Sequence, residues 1–357
     1  MNGIYVHIPY CVKKCGYCDF YSVCDLTSAD GYTGAVCQHI MQVDEISDTL
    51  YIGGGTPSLL GADRLSQIIS CAKPILTDDA EITVEVNPGD DMSDLLPKLA
   101  KVGINRLSIG MQSHNDDELK LLTRRHNAND VENTVNIAKG CGITNISLDV
   151  MLGIEGQTVA TLKDTLDFCA KVGATHISAY MLKIEEGTPF EKATFRPVDD
   201  VQADMYLFAV DYLSKLGYKQ YEISNFCLAD KYSRHNIKYW TNQSYIGIGA
   251  AAHSYYNGRR SYYSRSVSDF INGLPAVDDG AGGGFEETVM LRLRLSDGVD
   301  LNALSKEYPD MRDRLEMIKA KAHNLSKTDL LTINGDNVAL TPKGFLVSNS
   351  IINLILE

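Results

Sequence analysis

The chain has 357 residues, and 33 Lys or Arg against 46 Asp or Glu give it a net charge of −13. Hydrophobic residues make up 44% and charged residues 22%, ordinary globular values that exclude intrinsic disorder, collagen and coiled coil. No apolar run approaches the ~18 residues of a membrane span, no signal-peptide pattern follows Met1, and no basic block occurs. We therefore expect a cytoplasmic protein that is not an integral membrane protein and binds no nucleic acid.

Short β-branched segments alternate with longer segments of helical periodicity along most of the chain. The predicted strands cover residues 3–8, 49–53, 81–86, 105–110, 145–150, 175–180 and 220–224. The predicted helices cover residues 64–72, 131–139, 161–171 and 201–216. Alternation of this kind indicates crossover connections and a parallel sheet.

A short internal repeat marks the ends of three of these units. Ala-Lys-Val-Gly occurs at 100–103 and at 170–173, and each copy is followed five residues later by a strand serine. A shorter copy, Ala-Lys-Gly, occupies 138–140. Each glycine is expected to end its helix in the left-handed conformation. Serial units that end alike predict an α/β fold with a partial (β/α)6-type barrel, in which functional residues lie where the strands end.

The composition changes after residue 270. A Gly-rich linker is predicted at 271–285, separating a barrel at 1–270 from a small C-terminal domain at 286–357. Asn334-Gly335 between two apolar runs predicts a hairpin, so this domain is expected to resemble a winged helix. It has nine Lys or Arg against eleven Asp or Glu, a net charge of −2, which argues against DNA binding.

Three of the nine cysteines lie close together after the first predicted strand, as Cys11-x3-Cys15-x2-Cys18. Three thiolates in one loop can ligate three irons of a [4Fe–4S] cube and leave the fourth iron without a protein ligand. The alternative is zinc with His7 as fourth ligand, but the chain has no second cysteine knuckle. The other six cysteines are interpreted as small core residues.

The triad and its position resemble the radical S-adenosylmethionine (SAM) superfamily, in which SAM chelates the open iron. Gly53-Gly54-Gly55-Thr56-Pro57 and the Glu-Val-Asn-Pro sequence around Glu85 resemble its coproporphyrinogen-dehydrogenase-like branch. Taken singly, these motifs would be tight turns, solvated loops or helix caps. The resemblance implies a [4Fe–4S] cluster on Cys11, Cys15 and Cys18. It also implies SAM contacts by Tyr5, Tyr17, Gly54, Gly55, Thr56, Glu85, Gln112, Arg124, Asp149 and Ala179.

Three features distinguish two families within that branch. The dehydrogenase family has a long N-terminal arm before its cysteines and a fourth cysteine two residues after the third, where this chain has Phe20. His-Asn-x-x-Tyr-Trp at 235–240 is typical of the heme-chaperone family and implies heme contacts by His235, Asn236, Tyr239 and Trp240. The alternative for this motif is a loop that closes the barrel, with His235 hydrogen-bonded to backbone.

The resemblance therefore implies a heme chaperone that delivers heme to respiratory hemoproteins, without coproporphyrinogen dehydrogenase turnover. It further implies a flavodoxin- or ferredoxin-type reductant and a homodimer, and no catalytic residue is assigned. Three other functions stay open. They are an oxygen-independent coproporphyrinogen III dehydrogenase, a heme-consuming radical SAM methyltransferase, and a binding module that carries a cluster or zinc.

Overall fold

Two β-sheets, one of twelve strands and one of three, organise the computed structural model, which describes residues 1–357. The strands are β1 (Asn2–Ile8), β2 (Ser47–Gly54), β3 (Leu76–Val86), β4 (Arg106–Gln112), β5 (Asn145–Leu152), β6 (His176–Met181), β7 (Lys219–Gln220), β8 (Asn225–Cys227), β9 (Tyr245–Ile248), β10 (His253–Tyr256), β11 (Arg259–Tyr262), β12 (Val277–Ala281), β13 (Val299–Asp300), β14 (Leu331–Asn334) and β15 (Asn337–Leu340).

Fourteen α-helices accompany these strands. They are α1 (Ala29–Ile40), α2 (Gly61–Ala72), α3 (Met92–Lys101), α4 (Asp116–Leu121), α5 (Ala128–Gly140), α6 (Val159–Lys171), α7 (Asp199–Lys215), α8 (Arg234–Trp240), α9 (Val267–Ile271), α10 (Phe285–Arg292), α11 (Leu301–Glu307), α12 (Arg312–Leu325), α13 (Pro342–Leu346) and α14 (Ser348–Leu356). None of them has both the length and the apolar character needed to span a bilayer.

Strands β1 to β6 are parallel neighbours in chain order, and helices connect each strand to the next. This arrangement confirms the predicted α/β fold with a partial (β/α)6-type barrel. Strand β9 adds to β1 in parallel, whereas β8 adds to β6 in antiparallel. The seventh predicted strand, at 220–224, is wrong in detail, because the chain turns between β7 and β8 and those two strands pair with each other.

Glycines end the helices α3 and α6 as the repeat predicts. Gly103 and Gly173 have φ values of +101° and +75°, and the next amide, of Ile104 or Ala174, donates to a carbonyl five residues back. This is the Schellman pattern of helix termination. In the third unit the left-handed residue is Gly142, with φ +84°, rather than Gly140, which is the last residue of α5.

Side chains alternate along β1 to β6 between an apolar outer face and a polar inner face. The outer face packs into the main hydrophobic core through residues such as Ile4, Ile52, Val84, Leu107 and Leu148. The inner face, which we call the lumen, is polar on all six strands, although strands buried on both faces are normally apolar throughout. The lumen residues are Tyr5, His7, Thr49, Tyr51, Glu81, Thr83, Glu85, Arg106, Ser108, Ser147, Asp149, His176 and Ser178.

The C-terminal part has its own sheet, in the order β13-β15-β14. The hairpin predicted at Asn334-Gly335 is confirmed, since Asn334 pairs with Asn337 and Gly335 has φ +64°. Within the predicted linker at 271–285, β12 pairs with β11 and forms an edge strand of the large sheet. Helix α10 contacts α8, and Asn242 donates to Thr288 Oγ1 at 2.8 Å, so the start of the C-terminal part packs against the barrel.

Candidate functional site

The three clustered cysteines lie in the loop that follows β1, at the carboxyl end of the parallel strands. The Cys11 amide donates to the Val23 carbonyl at 3.0 Å, and the Val23 amide donates to the Pro9 carbonyl at 2.7 Å. The Cys18 amide donates to the Cys15 carbonyl at 3.2 Å. The loop is therefore fixed at both ends, and its three thiols are half-buried.

Two polar side chains reach these thiols, one from the loop after β2 and one from the loop between α4 and α5. Thr56 Oγ1 lies 3.5 Å from Cys11 Sγ, and Arg124 Nη1 donates to Cys15 Sγ at 3.6 Å. Burial raises the pKa of the Cys18 thiol, and the nearby sulfurs of Cys15 and Cys11 raise it further. A cation beside thiols favours thiolates, the form that ligates metal. Three thiols with a neighbouring guanidinium therefore suit iron. No three His, Cys, Asp or Glu side chains are already arranged at metal-ligating positions.

His7 does not complete a zinc site with the triad. Its Nδ1 bonds to the Tyr5 hydroxyl and its Nε2 bonds to the Tyr21 carbonyl, each at 3.0 Å. Both ring nitrogens are therefore occupied by partners other than the cysteines. The zinc alternative loses the fourth ligand on which it depended.

The glycine motif after β2 fits closely between the neighbouring strand ends. A Cβ on Gly55 would lie 2.7 Å from the Tyr10 carbonyl oxygen, and Gly54 has φ +114°. The Gly54 amide donates to Glu85 Oε2 at 3.1 Å, while the Tyr51 hydroxyl donates to Glu85 Oε1 at 2.7 Å. Glycine is required here by close approach, and the motif links the triad loop to the Glu85 carboxylate.

Two half-buried carboxyls, those of Glu85 and Asp149, face the lumen below its carboxyl-terminal end, which we call its mouth. Burial raises the pKa of Glu85 to about 7 and that of Asp149 to about 6, while Arg106 and other neighbours oppose both shifts. Arg124 Nη2 donates to the Gly110 carbonyl at 2.5 Å. Glu85 lies on β3, Asp149 on β5 and Arg124 in the loop between α4 and α5, so the topology brings together side chains that are far apart in sequence.

Three other predicted SAM residues differ in how they are placed. Gln112 ends β4 with φ +70°, a strained conformation for a residue other than glycine that is common at functional sites. Tyr17 is near Arg124, and its ring lies edge-on to Phe190 at 6.3 Å between centroids. Ala179 points away from the site, into the outer hydrophobic core, and only its backbone faces the neighbouring strand.

The His-Asn-x-x-Tyr-Trp motif forms α8, at the opposite, amino-terminal end of the barrel. His235 Nδ1 bonds to Thr49 Oγ1 near the start of β2, at 2.8 Å. The Glu81 carboxylate accepts the amides of Arg234 and His235 at 3.2 Å each. Lys238 Nζ, also buried, lies 2.7 Å from Asp48 Oδ1. Through these contacts α8 closes the amino-terminal end of the barrel.

The His235 imidazole is fully engaged within that closure. Its side chain is 1% exposed, its Nε2 bonds to the Tyr239 hydroxyl at 2.8 Å, and it stacks on Tyr51 at 5.4 Å between centroids. Burial lowers its pKa to about 3, so the ring is neutral at physiological pH. This geometry favours the barrel-closing alternative over a ring already exposed to heme, although the partners are side chains rather than backbone.

Replacing His235 by alanine should lower the free energy of unfolding of the apo protein by roughly 2–4 kcal/mol, because it removes a buried ring and leaves Thr49 and Tyr239 without a partner. Urea denaturation would measure this. His253→Ala is the control, since that ring is exposed and should change stability by less than about 0.5 kcal/mol. Equal stability of both variants would mean that α8 does not close the barrel.

Sequence reasoning missed Arg106, Thr83, Ser147 and His176 as lumen residues. The strands were interpreted only as buried β-branched segments. The signal was present in the alternation itself, since Arg106-Leu107-Ser108-Ile109 places polar and apolar side chains on opposite faces. A polar inner face indicates a barrel that holds a ligand.

Comparison with known proteins gives consistent results for both parts of the chain. Residues 5–169 match the Radical SAM superfamily, and residues 285–347 match the HemN C-terminal domain. The chain is 32% identical to the heme chaperone HemW of Bacillus subtilis (strain 168), over 100% of this chain and 99% of that protein. It is also 32% identical to the heme chaperone HemW of Lactococcus lactis, over 99% and 97%.

Among solved structures, coproporphyrinogen III oxidase (HemN) from Escherichia coli, a radical SAM enzyme, is similar with a TM-score of 0.84. The match covers 99% of this chain and 89% of that chain at 20% sequence identity. At that identity the similarity demonstrates a shared fold.

Proposed function

The chain belongs to the heme chaperone HemW family of the radical SAM superfamily, and from this premise we propose that it binds heme and delivers it to respiratory hemoproteins. The observation that carries the proposal is the full-length similarity to two proteins named as heme chaperones. The match with coproporphyrinogen III oxidase is one of fold, and Phe20, 66% exposed, stands where that family has a fourth cysteine. No observation favours the dehydrogenase.

Cys11, Cys15 and Cys18 would hold a [4Fe–4S] cluster with three cysteine ligands, and this cluster would supply one-electron reduction to bound SAM. The half-buried triad loop, the Thr56 hydroxyl and the Arg124 guanidinium support this assignment. Arg124 offsets the negative charge of thiolates, which lowers the free-energy cost of burying them.

The SAM site would lie at the mouth of the lumen. Glu85 would accept the SAM ammonium group while it keeps the Gly54 amide in place, and Asp149 would accept hydroxyl groups. The remaining contacts would come from Tyr5, Tyr17, Gly55, Thr56, Gln112, Arg124 and the backbone of Ala179. Tyr5 is the deepest of these, since its ring packs near Tyr51 and His235 inside the lumen.

Heme contact at His235, Asn236, Tyr239 and Trp240 would require α8 to open. Thr49 holds Nδ1 of His235, so Nε2 is the nitrogen that would ligate iron, by exchanging the Tyr239 hydroxyl for the metal. A neutral imidazole is the form that ligates heme iron, and burial keeps this ring neutral.

The remaining parts of the proposal rest on family membership and sequence composition. We assign residues 1–270 to the barrel, 271–285 to a connection whose strand β12 extends the large sheet, and 286–357 to the C-terminal domain. The proposal also includes a flavodoxin- or ferredoxin-type reductant, a homodimer and a cytoplasmic location.

Heme binding would be tested by anaerobic reconstitution of the cluster and titration with ferric heme, followed by Soret absorbance. We expect saturation near one heme per chain and a Soret band that persists after SAM and dithionite are added. Tyr239→Phe should raise heme affinity several-fold, because it removes the group that competes for His235 Nε2, and His235→Ala should shift or remove the band. The His253→Ala variant is the control.

Two results would contradict the proposal. Absence of a saturable Soret band in the reconstituted protein would exclude heme binding. Loss of the band on addition of SAM and reductant would instead indicate a methyltransferase or another enzyme that consumes heme.

A further inference from the structure

Arg106, at the start of β4, has a buried guanidinium without a counter-ion. The residue is 2% exposed, and its Nε and Nη1 atoms are buried without any hydrogen-bond partner. A buried charge whose partner is missing is strongly destabilising. An unsatisfied buried polar group in a native structure needs an explanation, and a functional role is one of those recognised.

The residue opposite Arg106 in the sheet has the same property. Thr83 pairs directly with Arg106 across β3 and β4, and its hydroxyl is completely buried without a partner. Both side chains belong to the inner face, so two unpaired polar groups lie side by side on the wall of the lumen. Tyr51, on the neighbouring strand β2, pairs with Thr83 and lies at the same level of the lumen.

The carboxyls that surround Arg106 do not replace the missing counter-ion. The charge of Arg106 lowers the pKa of Glu85 and of Asp149, but neither carboxylate forms an ion pair with it. Burial nevertheless holds the pKa of each well above its usual range. Near neutral pH Glu85 is therefore partly protonated, and Asp149, although mostly ionised, makes no ion pair with the guanidinium. The lumen keeps a cation whose hydrogen-bond donors require an external acceptor.

We propose that Arg106 and Thr83 form a carboxylate-binding subsite inside the lumen. Guanidinium donors and a hydroxyl match the two oxygens of a carboxylate, and charge-assisted hydrogen bonds of this kind are among the strongest available. The proposal rests on the proposed function, which offers two sources of this group. They are the propionates of heme and the methionyl carboxylate of SAM.

The test compares ligands with and without the carboxylate. Wild-type reconstituted protein is titrated with ferric heme and with its dimethyl ester, and separately with SAM and with decarboxylated SAM, which keeps the ammonium and sulfonium groups. At least one pair should show about 10- to 100-fold tighter binding of the carboxylate form. That preference should collapse in Arg106→Met and be partly retained in Arg106→Lys. The pair that loses its preference identifies the source.

Stability measurements separate this role from a structural one. If the guanidinium has no partner in the apo protein, Arg106→Met should leave its melting temperature unchanged or raise it. Thr83→Val should likewise leave the fold intact while weakening carboxylate binding about 3- to 10-fold. Arg292→Met, which removes an arginine paired with Glu307 outside the lumen, should retain full ligand preference.

The inference is overturned if Arg106→Met keeps both ligand preferences, or if it melts at a much lower temperature and Thr83→Val binds like wild type. Failure of the proposed function has a different signature. In that case neither heme nor its ester binds to wild type, and the SAM pair alone decides the role of Arg106.

Discussion

Cys15→Ala is expected to abolish cluster binding, so that reconstituted protein retains almost no iron or sulfide where wild type holds about four of each per chain. Cys15 is the middle ligand of the proposed triad, and its sulfur accepts a hydrogen bond from Arg124. Cys11→Ala and Cys18→Ala should have the same effect, because a cube with two protein ligands is exposed to solvent and decays. Iron and sulfide analysis after anaerobic desalting measures the result.

Cys24→Ala is the matched control for the triad. Cys24 lies six residues after Cys18 and is exposed, so the expectation that it is a small core residue is wrong. Its removal should leave iron content and cluster absorbance unchanged. If Cys24→Ala lost the cluster while Cys15→Ala retained it, the ligand assignment would be wrong and the exposed cysteine would be the third ligand.

SAM affinity should fall by about tenfold in total as the pH decreases through about 7. Burial raises the pKa of Glu85 to about 7, and its carboxylate both holds the Gly54 amide and faces the mouth of the lumen. The carboxylate attracts the SAM ammonium group only when it is deprotonated. Affinity is therefore full above this pKa and decreases as pH falls through it. Equilibrium titration of the reconstituted protein between pH 5.5 and 8.5 would measure the slope.

Two variants assign that pH dependence to Glu85. Glu85→Gln should bind SAM roughly tenfold more weakly at pH 8 and with little change across the range. Asp149→Asn should retain the fall in affinity but move it to somewhat lower pH, since the Asp149 charge helps to raise the pKa of Glu85. A pH-dependent Glu85→Gln variant would show that another group binds the ammonium.

Local pattern is sufficient to predict the six parallel strands and the cysteine triad. Six parallel strands follow from β-branched segments separated by helical periodicity, and the triad lies within eight residues. Edge elements were less predictable. Residues 277–281 have the composition of a linker, but their backbone pairs with β11, and Arg259 forms an ion pair with Asp278.

Long-range contacts explain what sequence reasoning could not find. His235 bonds to Thr49, 186 residues away, and nothing in the motif itself indicates that α8 closes the amino-terminal end of the barrel. Similarly, Arg106 is recognisable as unpaired only when its neighbours on β3 and β5 are known. These contacts depend on the topology of the sheet, which a local pattern does not contain.

The most direct test of the account is to ask whether the protein transfers heme or transforms porphyrin. The reconstituted, heme-loaded protein would be mixed anaerobically with the heme-free form of a respiratory hemoprotein, in parallel with an assay on coproporphyrinogen III, SAM and dithionite. We predict that intact heme moves to the acceptor and that coproporphyrinogen III loses no CO2. Release of CO2 from coproporphyrinogen III, without heme transfer, would contradict the chaperone function.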